Sequence, residues 1–390
     1  MKWERKTINE VCNVGDGAHA SIKRQPDGFQ YLTSKNFKLD GLDLNKVDYI
    51  SEVDFQKHFK DDSKAITKPK PEDVLLSIIG SLGAPYLVKE DDLFGLSSSV
   101  SILRAKRETI VPEFLFYWIK SNEFQSSINN IKSGVAQSFL SLGMIKSLPV
   151  IYPVELPTQR KIASILSAYD DLIENNLKRI KLLEEKAFLR YKGIVRSEKL
   201  EEKSILDICY VTDGTHDSPK QQVDGFYLVT GKHLIGGFID FSSAYFISEA
   251  DHDKIQKRSK VVNDDLVLSN IGTIGNVAII DSPFEFSVKN VIIFKPSDSI
   301  FTSFLYCYLN SVEMQIRFQQ ESSGTSQRFI SLAYTRALKV KLPNEEILKE
   351  FHQEVSILLK LKSILNQQNS KLREARDILL PKLMNGQIEV

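Results

Sequence analysis

Cysteine is scarce. The 390 residues hold three, Cys12, Cys209 and Cys307, scattered and without a Cys-x-x-Cys pair. An odd, dispersed set argues against a disulfide framework and against a zinc site, and fits buried thiols in a reducing cytosol. Long apolar runs are missing too. No stretch approaches the length of a membrane span, and Met1-Lys-Trp-Glu-Arg-Lys6 lacks the apolar core of a signal peptide. The chain is therefore expected in the cytoplasm, with no membrane partner. Net charge is only +1, so any nucleic-acid surface must be a local face. Six histidines are scattered without metal-ligand spacing. The motifs of chemistry are absent as well. There is no Asn/Asp-Pro-Pro-Tyr/Phe, no Phe-x-Gly-x-Gly and no Gly-x-x-x-x-Gly-Lys-Ser/Thr phosphate loop. Carboxylate pairs such as Asp61-Asp62, Asp91-Asp92 and Asp264-Asp265 stand outside any nuclease frame and read as solvated turns. These absences point to a chain with no catalytic residues, no metal and no directly bound cofactor.

What is present is ordinary globular composition, 42% hydrophobic and 26% charged, enough for two or three domains. Two long helical patterns organise it. From Pro157 to about Val195, Leu166, Ile173, Ile180, Ala187 and Ile194 recur every seven residues, with Tyr169, Asn176 and Leu183 three positions after. The closing segment repeats this with Leu358, Leu365, Leu372 and Leu379, followed by Leu361, Gln368 and Ala375. Asn176 falls on Gln368, so each seam is expected to carry one polar residue that fixes register. Both stripes are narrow and are expected to pack on each other. The alternative is a pair of independent amphipathic helices on two domain surfaces.

Nearly half the chain is an internal repeat. Val11-Cys-Asn-Val-Gly-Asp-Gly-Ala-His19 answers Ile208-Cys-Tyr-Val-Thr-Asp-Gly-Thr-His216, and Asp27-Gly28-Phe29 answers Asp224-Gly225-Phe226. Asp73 to Gly83 answers Asp265 to Gly275, and Gly134-Val-Ala-Gln-Ser-Phe139 answers Gly324-Thr-Ser-Gln-Arg-Phe329. Within each copy, Phe29 to Thr33, Phe226 to Thr230, Val74 to Ile79 and Leu266 to Ile271 read as strands, the last two running into Gly-x-x-Gly turns. Pro112 to Ser126 and Ser303 to Phe318 read as amphipathic helices. The expected domains are 1–156, a helix over 157–196, a second domain over 197–344 and a helix over 345–390. A cationic cluster sits at matching places: Lys57, Lys60, Lys64, Lys68 and Lys70 in one copy, Lys254, Lys257, Arg258 and Lys260 in the other. Such clusters are often only solvated faces, but the charge persists while its surroundings change, which favours contact with phosphates.

The order of these features resembles the DNA-specificity subunit of bacterial and archaeal type I restriction–modification enzymes, over essentially the whole chain. The motifs that carry it are Asp-Gly-x-His in each half, Gly-x-x-Gln-x-Phe followed by strand, proline and long helix, Thr158-Gln-Arg-Lys-Ile162 opening one helix, and Leu380-Pro-Lys-Leu-Met-Asn-Gly-Gln-Ile388 closing the other. The resemblance implies an α+β protein with two mixed α/β target recognition domains, separated by two helices that form an antiparallel coiled coil. It implies a subunit without catalysis of its own. That subunit binds double-stranded DNA and two methyltransferase subunits, which use S-adenosylmethionine, and restriction subunits join later.

Repeated units joined head to tail become related by an approximate two-fold axis if their helices pair antiparallel, and a DNA duplex has the same symmetry. Each domain is then expected to read one half of a split, asymmetric site. Candidate readers are polar residues on the repeated loops: His19, Lys23, Lys35, Asn36, Ser81, Gln137 and Ser138 in the first half, and His216, Lys220, Lys232, His233, Thr273, Gln327 and Arg328 in the second. For several a structural role is equally open. His19 and His216 can cap a turn, and Gln137 and Gln327 can bond backbone inside the domain. The alternative function is a coiled-coil interaction scaffold with incidental DNA contact.

Overall fold

The computed structural model describes residues 2–39, 41–61, 63, 65–133, 139–322 and 328–390. The chain divides into two compact units, one of Met1–Asp171 with Arg373–Val390, the other of Leu172–Leu372. In the first unit the core rests on a four-stranded antiparallel sheet, ordered Cys12–Asp16, Val100–Ala105, Val74–Ser77, Pro85–Leu87. Val74–Ser77 and its counterpart in the second unit are buried along their whole length, as a continuous apolar run with both faces covered requires. A three-stranded sheet, Asp48–Ile50, Phe29–Leu32, Phe94–Leu96, lies beside it, antiparallel at the first step and parallel at the second.

The second unit repeats this order strand for strand. Its larger sheet runs Cys209–Asp213, Val291–Pro296, Leu266–Ser269, Val277–Ile279, and its smaller one Tyr245–Ile247, Phe226–Thr230, Ser287–Lys289. The internal repeat is thus a repeat of topology.

Each helix expected after the sheet is two helices. Pro112–Lys120 stops at Ser121 and Asn122–Ser133 follows; Ile300–Leu309 and Val312–Glu321 flank Ser311. The serine makes the break, because its hydroxyl accepts the N–H of Phe124 or Met314 and starts a new helix. One turn later a glutamine locks the corner. Gln125 Nε2 donates to the carbonyls of Gly83 and Ile119, and Gln315 Nε2 to those of Gly275 and Leu309.

The central helix is Leu156–Ser197 and the terminal helix Glu345–Met384. Inside the second unit Asn176 meets Asn369, Glu184 meets Lys362, and Arg190 meets Glu354. Numbers rise along one helix as they fall along the other, so the pair is antiparallel. Inside the first unit Asp170 meets Arg376, and Leu166 shares a core with Leu380 and Leu383.

The central seam follows the expected heptad: Leu166, Ile173, Asn176 and Ile180 are all buried. On the terminal helix Leu358 and Leu365 are buried and Leu372 half-buried, but their companions need correcting. Gln368 and Leu361 are exposed; the buried residues lie one position on, Lys362, Asn369 and Arg376. A heptad alternates steps of three and four. The leucines take the position before the longer step, so counting three from each lands about 100° off the seam. Polar side chains at all three correct positions hid this from an apolar pattern.

Candidate nucleic-acid interface

Strand register brings the repeated loops of each unit to one end of its larger sheet. In the second unit Asp213 pairs with Ile292 and Ser269 with Val291. The loop holding His216 and the turn holding Thr273 therefore leave the same end of the sheet, one on either side of Val291–Pro296. The turn is tight because Gly272 and Gly275 both take left-handed φ, 76° and 96°. Ile271 then bridges Phe329, which fixes exposed Arg328 next to it. Gly231 abuts Ser269 so closely that a Cβ there would lie 2.9 Å from the serine Cβ. This sets exposed Lys232 on the neighbouring short turn Gly231–His233.

The helix Glu249–Ser259, acidic in its first turn and basic in its last, ends at the same place. Ser259 Oγ donates to the Asp213 carbonyl, Arg258 reaches the Asp213 carboxylate at 2.7 Å, and Lys254 reaches Asp217 at 2.8 Å. His216 Nε2 lies 2.8 Å from the other Asp213 oxygen and its Nδ1 lies 3.0 Å from Asn290 Oδ1. Burial pushes the Asp213 carboxyl upward, but hydrogen bonds from His216 and Arg258 outweigh it and hold it below its ordinary value. The Lys254 bond likewise holds Asp217 down.

The first unit builds the same end. Asp16 pairs with Ser101 and Ser77 with Val100; His19 Nε2 lies 2.8 Å from Asp16; Gly80 and Gly83 turn with φ of 73° and 84° around exposed Ser81. Ile79 bridges Phe139. Exposed Lys35 rides on Ser34–Asn36, whose first N–H donates to Ser99 Oγ. Exposed Lys57 lies in the last turn of Glu52–His58, and exposed Lys60 follows it.

Several expected readers take other places. Asn36 is buried: its Oδ1 accepts the Thr33 N–H and its Nδ2 donates to the carbonyls of Asp43 and Lys46. His233 is fully buried at the matching position, its Nδ1 accepting the Thr230 N–H, and burial lowers its pKa. Both are turn caps whose polar atoms face the protein. Lys23 and Lys220 are exposed but sit close before Gln25 and Gln222, which bridge the edge strand of the smaller sheet. Gln137, Ser138, Gln327 and Lys64 lie outside the described residues. Sequence reasoning missed Asp16 and Asp213, which anchor both histidines, and Lys289, which binds Ser218 beside His216. The repeated Asp of Asp-Gly-x-His was the available signal.

What the face offers is hydrogen-bond donors: guanidinium, ammonium, imidazole and hydroxyl groups on rigid turns. Such groups suit phosphates and the acceptor edges of bases. Among the described residues no cluster of three or more His, Cys, Asp or Glu is arranged to hold a metal, and no helix is long and apolar enough to cross a membrane. The thiols of Cys12 and Cys209 are pushed up to about 12 by burial, and that of Cys307 higher.

The sequence matches the family described as the type I restriction modification DNA specificity domain, over 1–185 and again over 198–374. It is 26% identical to the type I restriction enzyme MjaIX specificity subunit of Methanocaldococcus jannaschii, across 73% of this chain and 71% of that one. It is 21% identical to the putative MjaX specificity subunit of the same organism, across 100% and 94%. Among solved structures, the type I restriction–modification S subunit from M. genitalium superposes with a TM-score of 0.63 at 16% identity, covering 98% of this chain and 96% of that one.

Proposed function

The chain belongs to the type I restriction–modification DNA specificity family, and on that premise we propose how it reads DNA. It is the sequence-specific recognition subunit, and its two copies of one domain, 1–156 and 197–344, each read one half of a bipartite site. The observation that carries this reading is the repeated construction of one sheet end, in both units, as a cluster of exposed donors on rigid turns.

The two reading faces differ in detail. Arg258, Lys254 and Asn290 surround His216 and its aspartates, and no copy-one residue repeats the Arg328 guanidinium, since Ser138 stands there. Unlike faces call for unlike half-sites. Arg328, Lys232 and Thr273 in the second unit, with Lys35, Ser81 and His19 in the first, are the base readers; Lys57, Lys60, Lys254, Lys257 and Arg258 meet phosphates. The helices over 157–196 and 345–390 space the half-sites. A central helix of 42 residues is about 63 Å long, ample for half-sites one helical turn, about 34–36 Å, apart. Two methyltransferase subunits dock on this framework and supply S-adenosylmethionine chemistry, restriction subunits complete the complex in the cytoplasm, and this chain contributes no catalytic group.

The test is selection of bound duplexes from a random pool by the chain with its methyltransferase partner. The expected result is two short conserved blocks separated by a fixed gap. Replacing Arg328 should change one block only, about 1–3 kcal/mol of discrimination at one position. One contiguous block, or no selective enrichment, would overturn the reading, and the latter is what a pure interaction scaffold would give.

A further inference from the structure

Two ion pairs, each with a buried cation and a half-buried carboxylate, join the long helices. In the first unit Asp170 of the central helix accepts from Arg376 of the terminal helix at 2.5 Å and from Tyr117 Oη at 2.8 Å. In the second unit Glu184 of the central helix accepts from Lys362 of the terminal helix at 2.7 Å, and Lys362 also donates to Tyr306 Oη at 2.8 Å. In each case the tyrosine comes from the helix that follows the long strand of the larger sheet, Pro112–Lys120 or Ile300–Leu309.

The sequence repeat lays the central helix on the terminal one so that Leu166 falls on Leu358 and Ile173 on Leu365. At that same offset Asp170 falls on Lys362 and Glu184 on Arg376. The apolar positions keep their character, whereas the charged positions invert. Both acids therefore stand on the central helix and both bases on the terminal helix.

We propose that this segregation of charge decides which helices pair: a central helix accepts a terminal helix and rejects another central helix. The repeated apolar positions cannot make that choice, because Leu166 and Ile173 are matched by Leu358 and Leu365. Charge can. Two central helices from separate molecules, paired antiparallel in the same register, would set Asp170 against Glu184 twice. Two terminal helices would set Lys362 against Arg376 twice. Lys362 is 3% exposed and Arg376 8%, so little water screens the repulsion between two terminal helices, and like charges at a desolvated contact oppose association strongly; the acids, with side chains 27% and 37% exposed, oppose a second central helix more weakly. The selection goes beyond DNA reading and does not depend on it: it keeps two different domains joined as one molecule instead of letting like helices of two molecules exchange.

The experiment uses the full chain in four forms. One is unaltered. One carries Glu184→Lys with Lys362→Glu, one carries Asp170→Arg with Arg376→Asp, and one carries all four changes. Either swap alone preserves an ion pair within the molecule but makes each helix self-complementary. All four together restore segregation with the signs reversed. Each protein is unfolded in urea, refolded at two concentrations and weighed by light scattering after gel filtration. The unaltered chain and the fourfold variant should refold as monomers. Each single swap should raise the dimer fraction by about tenfold or more, increasingly at the higher concentration. A single swap as monomeric as the unaltered chain, or a fourfold variant that dimerises as much as the swaps, overturns the proposal. The two swaps lie in different units, so if one refolds poorly the other decides.

Discussion

Removing the Asp170 carboxylate should cost far more than removing its guanidinium partner. In Asp170→Asn the shape is kept, but Arg376, with its side chain 10% exposed, loses the ion pair, Lys120, 13% exposed, loses a neighbour at 3.6 Å, and the Tyr117 hydroxyl loses a charged acceptor. A buried charge left without its counterion costs about 3–5 kcal/mol. The low end applies, because Asp377 still reaches Arg376 at 2.8 Å from an exposed position. About 3 kcal/mol in a unit of this size lowers Tm by about 6–12 °C. Arg376→Met leaves Asp170, its side chain 27% exposed, with Tyr117 and Lys120 and should cost about 1 kcal/mol. The double variant should resemble Arg376→Met instead of summing the two losses, since the uncompensated guanidinium is gone. Both tryptophans, Trp3 and Trp118, belong to the unit that holds this pair, so indole fluorescence during heating or urea titration follows it alone. A loss below about 1 kcal/mol for Asp170→Asn, or a double variant worse than the single, would refute the idea that buried cations set the asymmetry.

Acid should act in two stages. Burial holds His233 and His352 below their ordinary value of 6.5, so the unfolded chain takes up protons first, and stability, complete above about pH 6.5, should decline as pH falls below it. His233→Asn, which borrows the cap used at Asn36, should flatten that decline in a melting series. Asp170, Asp213 and Asp281 are held below 3.8 because hydrogen bonds and nearby cations outweigh burial, so their contribution persists above that value and disappears as pH drops through the lower folded values. Gln125→Ala should cost about 1–3 kcal/mol by orphaning the Gly83 and Ile119 carbonyls, read by tryptophan fluorescence; Gln315→Ala should do the same in the other unit, read by circular dichroism. Lys57→Ala should lessen the salt dependence of DNA binding by about one ion and leave the target unchanged; a changed target would make Lys57 a base reader.

Much of the architecture was legible because duplication writes the same constraints twice. Gly80 and Gly272, alike in sequence, both turn out to need left-handed backbone, and the run Val74–Ser77 is buried like its copy. The central helix was legible because its seam is apolar but for Asn176. The terminal seam was not, because Lys362, Asn369 and Arg376 read as surface residues until their partners on the other helix are seen. Asn36 and His233 misled for a related reason. Both are polar residues on a repeated loop, and sequence alone does not separate an amide that bonds a distant carbonyl from one that faces water. The helix breaks at Ser121 and Ser311 escaped because a serine is tolerated within a helix and ends it only when its hydroxyl is committed to capping.

One of the two compact units is assembled from two stretches far apart in sequence, with Leu380, Leu383 and Met384 packed into a core drawn mostly from residues before 172, and Arg376 bonded to Asp170. Translation therefore completes the enclosed unit before it supplies the missing piece of the earlier one. Until then a partly built core, Trp3 and Trp118 included, waits unsealed through the synthesis of some two hundred intervening residues. Closure of the first unit thus depends on helical turns that come after the whole of the second.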